Sequence, residues 1–509
     1  MSDLTESPQR SSRRDRAAFL LALIGLLLLA TYFRIEQIGL RSLWRDELCT
    51  WHASRMPLGE SLRWGPELTK PPAYQLALRA VTQDPHPSES MLRLPAVLCG
   101  LALLPVALWL GRLAGGFGVG LALLALLAVN ALQVFYSREA RPYSMLVLGC
   151  AISTGLWYSL ITNRRTAALC AYVVVTALTL YAHYLAGLTI VGHAIWWLVS
   201  HAPSRGLQPS RTPRRLKPAA QYPAIALVAT GVLCLPLVIR YLLHKTSMFQ
   251  GLEWIATPTL LDAMGILSRL TFGPQWLIGI LLPATILWMA GSLDGIPKSW
   301  PLRRERLWSG RDDICGLLLL WLGGAWFGLL VISWLFHPAM VVRYALPAAV
   351  PALLFPLVMA HRLDRRIPWV IAAVFAVAVI PDRLAPQVPL GFREMRTYLQ
   401  QHVDPERELV VLTIDNTIYP GWEDSERLGF DYYPLHDVPV AELRLEPDGV
   451  TARNNTLEDP RGMYLIVLWA DPFPILKAAG RVPMDIVHEG ESFSQLPFEP
   501  YRLVRVAPR

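Results

Sequence analysis

The sequence predicts a polytopic α-helical membrane protein with about eleven transmembrane helices and a small α/β domain at its C-terminal end. Three observations predict it. Hydrophobic residues make up 53 % of the chain and charged residues only 17 %, well under the roughly 25 % of a soluble protein. Apolar runs of roughly twenty residues recur along most of its length. The net charge of +8 comes from basic clusters between those runs, on alternate loops. That is how membrane topology is encoded, and it argues against a nucleic-acid-binding reading of the charge.

Arg10, Arg13, Arg14 and Arg16 precede the first run and place the tail in the cytoplasm. No small-residue cleavage site follows, so Ala17–Phe33 is expected to be a retained anchor and span 1. Arg34–Ser90 then lies on the far side. It holds Ser42-Leu43-Trp44-Arg45-Asp46-Glu47-Leu48, a stretch Leu58–Leu68 suited to a short amphipathic helix on the membrane surface, and Lys70-Pro71-Pro72-Ala73-Tyr74. The double proline stops one helix and starts another at Tyr74–Val81. Span 2 is Met91–Leu113, Gly115-Gly116 makes an inner turn, and span 3 is Phe117–Phe135. Ser137–Tyr143 is outside, and span 4, Ser144–Ile161, returns to the basic pair Arg164-Arg165.

Ala167–Ser200 is too long for one span and splits near His183-Tyr184 into spans 5 and 6. Arg205, Arg211, Arg214, Arg215 and Lys217 mark the next loop as cytoplasmic. Span 7 is Tyr222–Leu243, and His244–Pro274 is a second long outer loop in which Phe249 and Trp254 suit an interfacial segment. Span 8 (Gln275–Gly291), a basic stretch Lys298–Arg311, span 9 (Ile314–Phe336), an outer turn through Arg343-Tyr344, span 10 (Ala345–Ala360), basic Arg362, Arg365 and Arg366, and span 11 (Ile367–Ile380) complete the series. An odd number of spans puts the C-terminus outside, and the split at His183 carries that parity.

The composition changes near Leu384, dividing the chain into a transmembrane domain, 1–383, and an extracytoplasmic α/β domain, 384–509. Phe392–His402 has helical periodicity. Glu408–Thr413, Met463–Trp469 and Tyr501–Val506 read as strands, with a helical piece at Phe473–Ala479. Cys49, Cys99, Cys150, Cys170, Cys234 and Cys315 show no CxxC or Cys/His spacing and predict no disulfide framework.

The outer loops together supply Asp46, Glu47, His52, Lys70, Tyr74, Arg138, Glu139, Arg141, Tyr143, His183, Tyr184, Arg343 and Tyr344. An acid pair with arginines and tyrosines on one membrane face suits a site that binds an anionic lipid headgroup and does acid–base work. In such a site a sugar carried on a polyprenyl phosphate loses its phosphate as leaving group. Arginines stabilise that charge, and a carboxylate takes the proton of the attacking hydroxyl or amine. One displacement inverts the anomeric carbon. Asp46 is the candidate base, and Glu47 orients it, holds a metal or caps a helix. Plainer readings stand beside each assignment: a solvated loop with an N-cap role for the acids, snorkelling for Arg138, Arg141 and Arg343, solvation for Lys70, a satisfied helix break at His183. Glu139 is expected to pair with Arg138 or Arg141. Tyr74, Tyr143, Tyr184 and Tyr344 suit the interfacial aromatic belt. Asp415, Glu423 and Asp431 read as solvated or structural.

Leu43-Trp44-Arg45-Asp46-Glu47, Lys70-Pro71-Pro72-Ala73-Tyr74, Ser137-Arg138-Glu139-Ala140-Arg141-Pro142-Tyr143-Ser144, His183-Tyr184, Arg343-Tyr344 and Asp431-Tyr432-Tyr433 form an ordered set. It resembles the bacterial GT-C glycosyltransferases of the protein-mannosyltransferase-like family, whose members include the lipid A aminoarabinose transferase. The resemblance implies an acidic catalytic residue at Asp46 and an undecaprenyl- or dolichyl-phosphate-sugar donor, with a lipid, glycan or protein acceptor. Some relatives use a divalent metal ion and others do not, so that cofactor stays open; no His/carboxylate spacing marks a metal site. The rival readings are a transporter or lipid flippase, which requires charges near span middles, and a non-enzymatic scaffold.

Overall fold

The computed structural model describes residues 13–36, 38–64, 70–82, 84, 86–163, 166–201, 218–250, 255–292, 313–384, 392–414, 428–444, 455–468, 472–478, 483–489 and 501–508. Arg10, Arg164-Arg165, the basic stretches 205–217 and 298–311, Trp254, Asp415, Glu423 and Trp469 lie outside these residues, as does the side chain of Phe249.

Among the described residues four helices are long and apolar enough to cross a membrane: Glu89–Gly115, Tyr143–Thr162, Ile314–Leu335 and Val342–Leu363. Three bent pairs qualify if each counts as one crossing: Phe117–Val129 with Ala131–Ser137 (64°), Gln221–Leu233 with Leu235–His244 (51°), and Leu260–Leu270 with Pro274–Ala290 (95°). Phe19–Ile35, Thr166–Ala182, Ala186–Ser200 and Ile367–Ile380 are shorter apolar helices. Every span expected from the sequence falls on one of these segments. By length and composition they support four crossings, or up to seven with the bent pairs.

The helices that position the site are α1 (Arg13–Ile35), α2 (Arg45–Arg55), α3 (Ala73–Val81), α4 (Glu89–Gly115), α5 (Phe117–Val129), α6 (Ala131–Ser137), α7 (Tyr143–Asn163), α8 (Thr166–Ala182) and α9 (Ala186–His201). Helix α5 is buried from Val119 to Val129, and the helix Ala349–Leu363 is buried from Ala349 to Ala360. Both are apolar all round, as helices at the centre of a bundle are. Helices α4 and α5 touch through glycine: a Cβ on Gly120 would meet the Leu108 carbonyl oxygen at 2.4 Å. The turn between them needs Gly116, whose φ is 93°.

The break between α5 and α6 has identifiable partners. Buried Arg34 donates to the carbonyls of Leu127 and Ala128 at 3.0 and 3.1 Å, satisfying the end of α5. The Asn130 side chain accepts from the Gln133 N–H, capping α6, and donates to the carbonyls of Leu270 and Thr271. The break thus fixes where the chain emerges into the turn at Arg138–Pro142.

The expected surface helix Leu58–Leu68 is corrected over its described part: the helix is Leu58–Ser61, residues 62–64 form a turn, and 65–68 lie outside the described residues. Asp46 and Glu47, expected in a loop, instead open helix α2.

At the C-terminal end, β1 (Glu408–Ile414), β2 (Val440–Arg444), β3 (Gly462–Leu468), β4 (Pro483–Glu489) and β5 (Tyr501–Val506) form one sheet in the order β2-β1-β3-β5-β4. Strand β1 is parallel to β2 and β3, and β5 is antiparallel to β3 and β4. Alternation puts Val410, Leu412, Tyr464, Ile466 and Leu503 on one face, packed with Met395 and Leu399 of the helix Phe392–His402. The same cluster takes in Leu43, Leu48, Trp51 and Tyr74, so this face of the sheet shares a core with α2 and α3. The other face packs Leu409, Val411, Met463, Leu465 and Val504 against Ile475 and Leu476.

Candidate active site

Helix α2 starts where it does because Trp44 is extended (φ −93°, ψ 170°) and its N–H donates to the Glu47 carboxylate at 3.3 Å. Two acids in the first turn also suit the positive end of the helix dipole. Its far end is closed by Arg79, which donates to the carbonyls of Ala53, at 2.8 Å, and Met56. Leu48, Cys49, Trp51 and Ala53 form its buried face.

The two adjacent acids have different surroundings. The Glu47 side chain is 0 % exposed and the Asp46 side chain 17 %, so only one of them is open to a substrate. Arg93 grips Glu47 in a fork, Nε to Oε1 at 2.9 Å and Nη2 to Oε2 at 2.8 Å. The same guanidinium donates to the carbonyls of Ile38, Arg41 and Ser42. Glu47 also accepts the Ala140 N–H at 2.7 Å. Burial alone would raise the Glu47 carboxyl, but Arg93, Arg41 and the Ala140 N–H outweigh it and hold the carboxyl below its ordinary range. Glu47 is a strut that ties the segment 38–44, helix α4 and the turn at Ala140 together. Arg93 was hidden in the sequence because it sits inside the apolar run of span 2; its position five residues after the helix cap Ser88 was the available signal.

Asp46 faces cations from separated segments. Arg141 lies 3.6 Å from its carboxylate, donates to its backbone carbonyl at 3.1 Å, and donates to Thr50 Oγ1 at 2.8 Å. Burial pushes the Asp46 carboxyl up. The charges of Arg141, Lys70, Arg343 and Arg45 reverse that and hold it well below the usual carboxylate range. Arg343 stands on a single turn, Val342–Ala345, with its guanidinium 5.8 Å from the Trp44 ring centre and 5.6 Å from that of Tyr344. His183, in the break between α8 and α9, has its ring 6.0 Å from Tyr143 and 5.6 Å from Tyr344. Its Nδ1 accepts the Leu185 N–H at 3.3 Å, which leaves the proton on Nε2. Burial and then the charges of Arg141, Arg343 and Lys70 lower its pKa to about 3. A neutral imidazole among cations is a hydrogen-bond donor that adds no charge of its own.

The structure therefore brings Asp46, Lys70, Arg141, Tyr143, His183, Arg343 and Tyr344 to one place. Two expected members make other contacts. Arg138 donates to the Glu36 carbonyl at 3.2 Å, and Tyr184 rests edge-on against Tyr241 at 5.9 Å. Glu139 pairs with Arg41 at 3.2 Å instead of Arg138 or Arg141. Burial, with Glu47 nearby, pushes the Glu139 carboxyl upward against the pull of Arg41. His52 packs between Trp51 and Trp64. Tyr74 and Tyr143, expected in an interfacial belt, are instead buried at 3 % and 2 % exposure.

The sequence matches no family model and no curated protein. Solved structures do match. ArnT from Cupriavidus metallidurans in the apo state has a TM-score of 0.54 at 12 % identity, over 96 % of this chain and 98 % of that one. AglB, an archaeal oligosaccharyltransferase from Archaeoglobus fulgidus solved with an inhibitory peptide and a dolichol-phosphate, has a TM-score of 0.47 at 11 % identity, over 82 % of this chain and 64 % of that one. The chain has the GT-C glycosyltransferase fold. Within this GT-C fold the Asp46 end of α2, the turn before α7, the break before α9 and the turn at Arg343 meet at one end of the helical bundle.

The acids described at this site do not fit a divalent metal. Both Glu47 oxygens are taken by Arg93, which leaves Asp46 alone, and among the described residues no three His, Cys, Asp or Glu side chains group as ligands.

Proposed function

We propose that this chain is an integral membrane glycosyltransferase. It moves a sugar from a polyprenyl-phosphate-linked donor to an acceptor hydroxyl or amine on the non-cytoplasmic face, with inversion. The observation that carries the reading is the placement of one partly open carboxylate, Asp46, against Arg141, Arg343 and Lys70 from three distant segments. The cations take the donor phosphate and stabilise it as leaving group. Asp46 accepts the proton of the attacking group, and neutral His183 donates from Nε2 to an oxygen of donor or acceptor. In this reading 1–383 is the catalytic membrane domain and 384–509 an extracytoplasmic domain. A transporter needs charges along a path through the membrane; the charges placed here gather at one end.

The reading is tested by mass spectrometry of cell-envelope glycans with and without the protein. Loss of one glycosyl modification is expected, and an unchanged profile overturns it. The topology is tested separately. Protease added to sealed right-side-out vesicles is expected to clip the C-terminal domain, and full protection reverses the assigned side.

A further inference from the structure

The segment that leads into α2 is held from two sides. Arg93 takes its carbonyls at Ile38, Arg41 and Ser42 from below. Further contacts come from the last quarter of the chain. The Leu43 N–H donates to the Tyr433 hydroxyl at 2.9 Å, and that hydroxyl donates in turn to Glu89 at 3.0 Å. Arg393 donates to the carbonyls of Gly39 and Leu40 and pairs with the same Glu89 carboxylate. Ser42 Oγ donates to Glu394 at 2.9 Å. The Tyr432 ring meets Trp51 of α2 edge-on at 4.9 Å, and its hydroxyl donates to the Pro87 carbonyl at 2.5 Å. Tyr433 itself is 7 % exposed.

These contacts have a particular location. Leu43 precedes the Trp44 cap, and Asp46 lies in the first turn after it. The backbone amides of Leu43 and Trp44 are thus fixed in succession, one by Tyr433 and the next by Glu47. Rotation or translation of α2 moves Asp46 relative to Arg141 and Arg343. These two amides restrict both motions at the start of the helix.

We propose that Tyr433 is a positioning residue for the transfer reaction: with Arg393 and Glu89 it sets where α2 begins and therefore where Asp46 stands. The C-terminal unit is then a working part of the active site, acting through the backbone that leads into α2. This inference rests on the glycosyltransferase reading above.

The test compares full-length wild type with Tyr433→Phe, and with Arg393→Gln as a second variant, in proteoliposomes with a polyprenyl-phosphate-linked sugar. Small displacements of a catalytic group cost up to about 10²-fold in rate. A fall in kcat of roughly ten- to a hundredfold with a smaller change in donor KM is expected, because the phosphate-binding cations Lys70, Arg141 and Arg343 stand on segments other than α2. Amide hydrogen exchange is expected to rise at Leu43 and the first turn of α2 and to stay constant across β1, β3 and β5. Unchanged kcat and exchange in both variants overturn the proposal. So does exchange rising throughout the sheet together with a lowered unfolding midpoint, which marks a merely structural contact. If wild type transfers no sugar from any such donor, the functional reading fails on its own, and the exchange at Leu43 still decides whether Tyr433 controls the start of α2.

Discussion

Asp46→Asn is expected to lower kcat for sugar transfer by about 10²–10⁴-fold, the range that a positioned general base supplies. The substitution keeps size and shape, and Asp46 is the more open of the two acids, so folding and expression are expected to persist. The kinetic signature is specific. Removing the carboxylate takes a negative charge away from Arg141, Lys70, Arg343 and Arg45. Those cations then hold an anionic donor at least as well as before, and donor KM is expected to stay level or fall while kcat collapses. Assay of the purified variant with a defined polyprenyl-phosphate sugar decides it; normal turnover removes Asp46 from the role of base. The pH behaviour follows from the same cations. A carboxyl held below its ordinary range stays ionised as pH falls through the usual carboxylate region. Its contribution to stability is present above the unfolded-state pKa and is lost only as pH falls through the lowered folded value. Any loss of activity between pH 5 and 7 therefore belongs to another group, such as the acceptor or the donor phosphate.

The second large effect is on stability. Arg93→Met is expected to destabilise the protein by about 3–5 kcal/mol, because it strands the fully buried Glu47 charge. Removal of the guanidinium also leaves the carbonyls of Ile38, Arg41 and Ser42 without their donor. The double variant Glu47→Leu with Arg93→Met removes both charges and is expected to recover a good part of the loss, since a buried pair costs much of its own attraction in desolvation. Unfolding in detergent, run as a double-mutant cycle, measures the coupling. Additive losses from the two single variants sink the strut assignment.

Much of the bundle was legible in the sequence because apolar length and basic loops are local signals. The division of Ala167–Ser200 at His183 is the clearest case, and the structure places the break there. Asp46, Arg141, His183 and Arg343 were legible as a group because each lies between apolar runs in segments that the charge pattern assigns to one side. The division of labour between Asp46 and Glu47 was not legible. Adjacent acids look alike until a partner claims one, and Arg93 reads as an odd residue inside a span. Strands β2 and β4 were missed for a related reason. Only one residue of β2 is buried, so it carries no apolar run, and β4 pairs with register shifts that break its alternation. The bends at Asn130 and Cys234 lie within long apolar stretches, where Asn130 itself and Pro236 are the local marks.

The two grips on the segment before α2 differ in how far along the chain they reach. Glu47 and Arg93 are separated by 46 residues, and Leu43 and Tyr433 by 390. During synthesis the first can close as soon as the second apolar run has been inserted. The second waits until the C-terminal end has been made and has folded against this segment. A truncated or stalled chain would then carry Asp46 on an unfinished mount, so the order of biogenesis itself keeps a partly built chain from presenting a finished site.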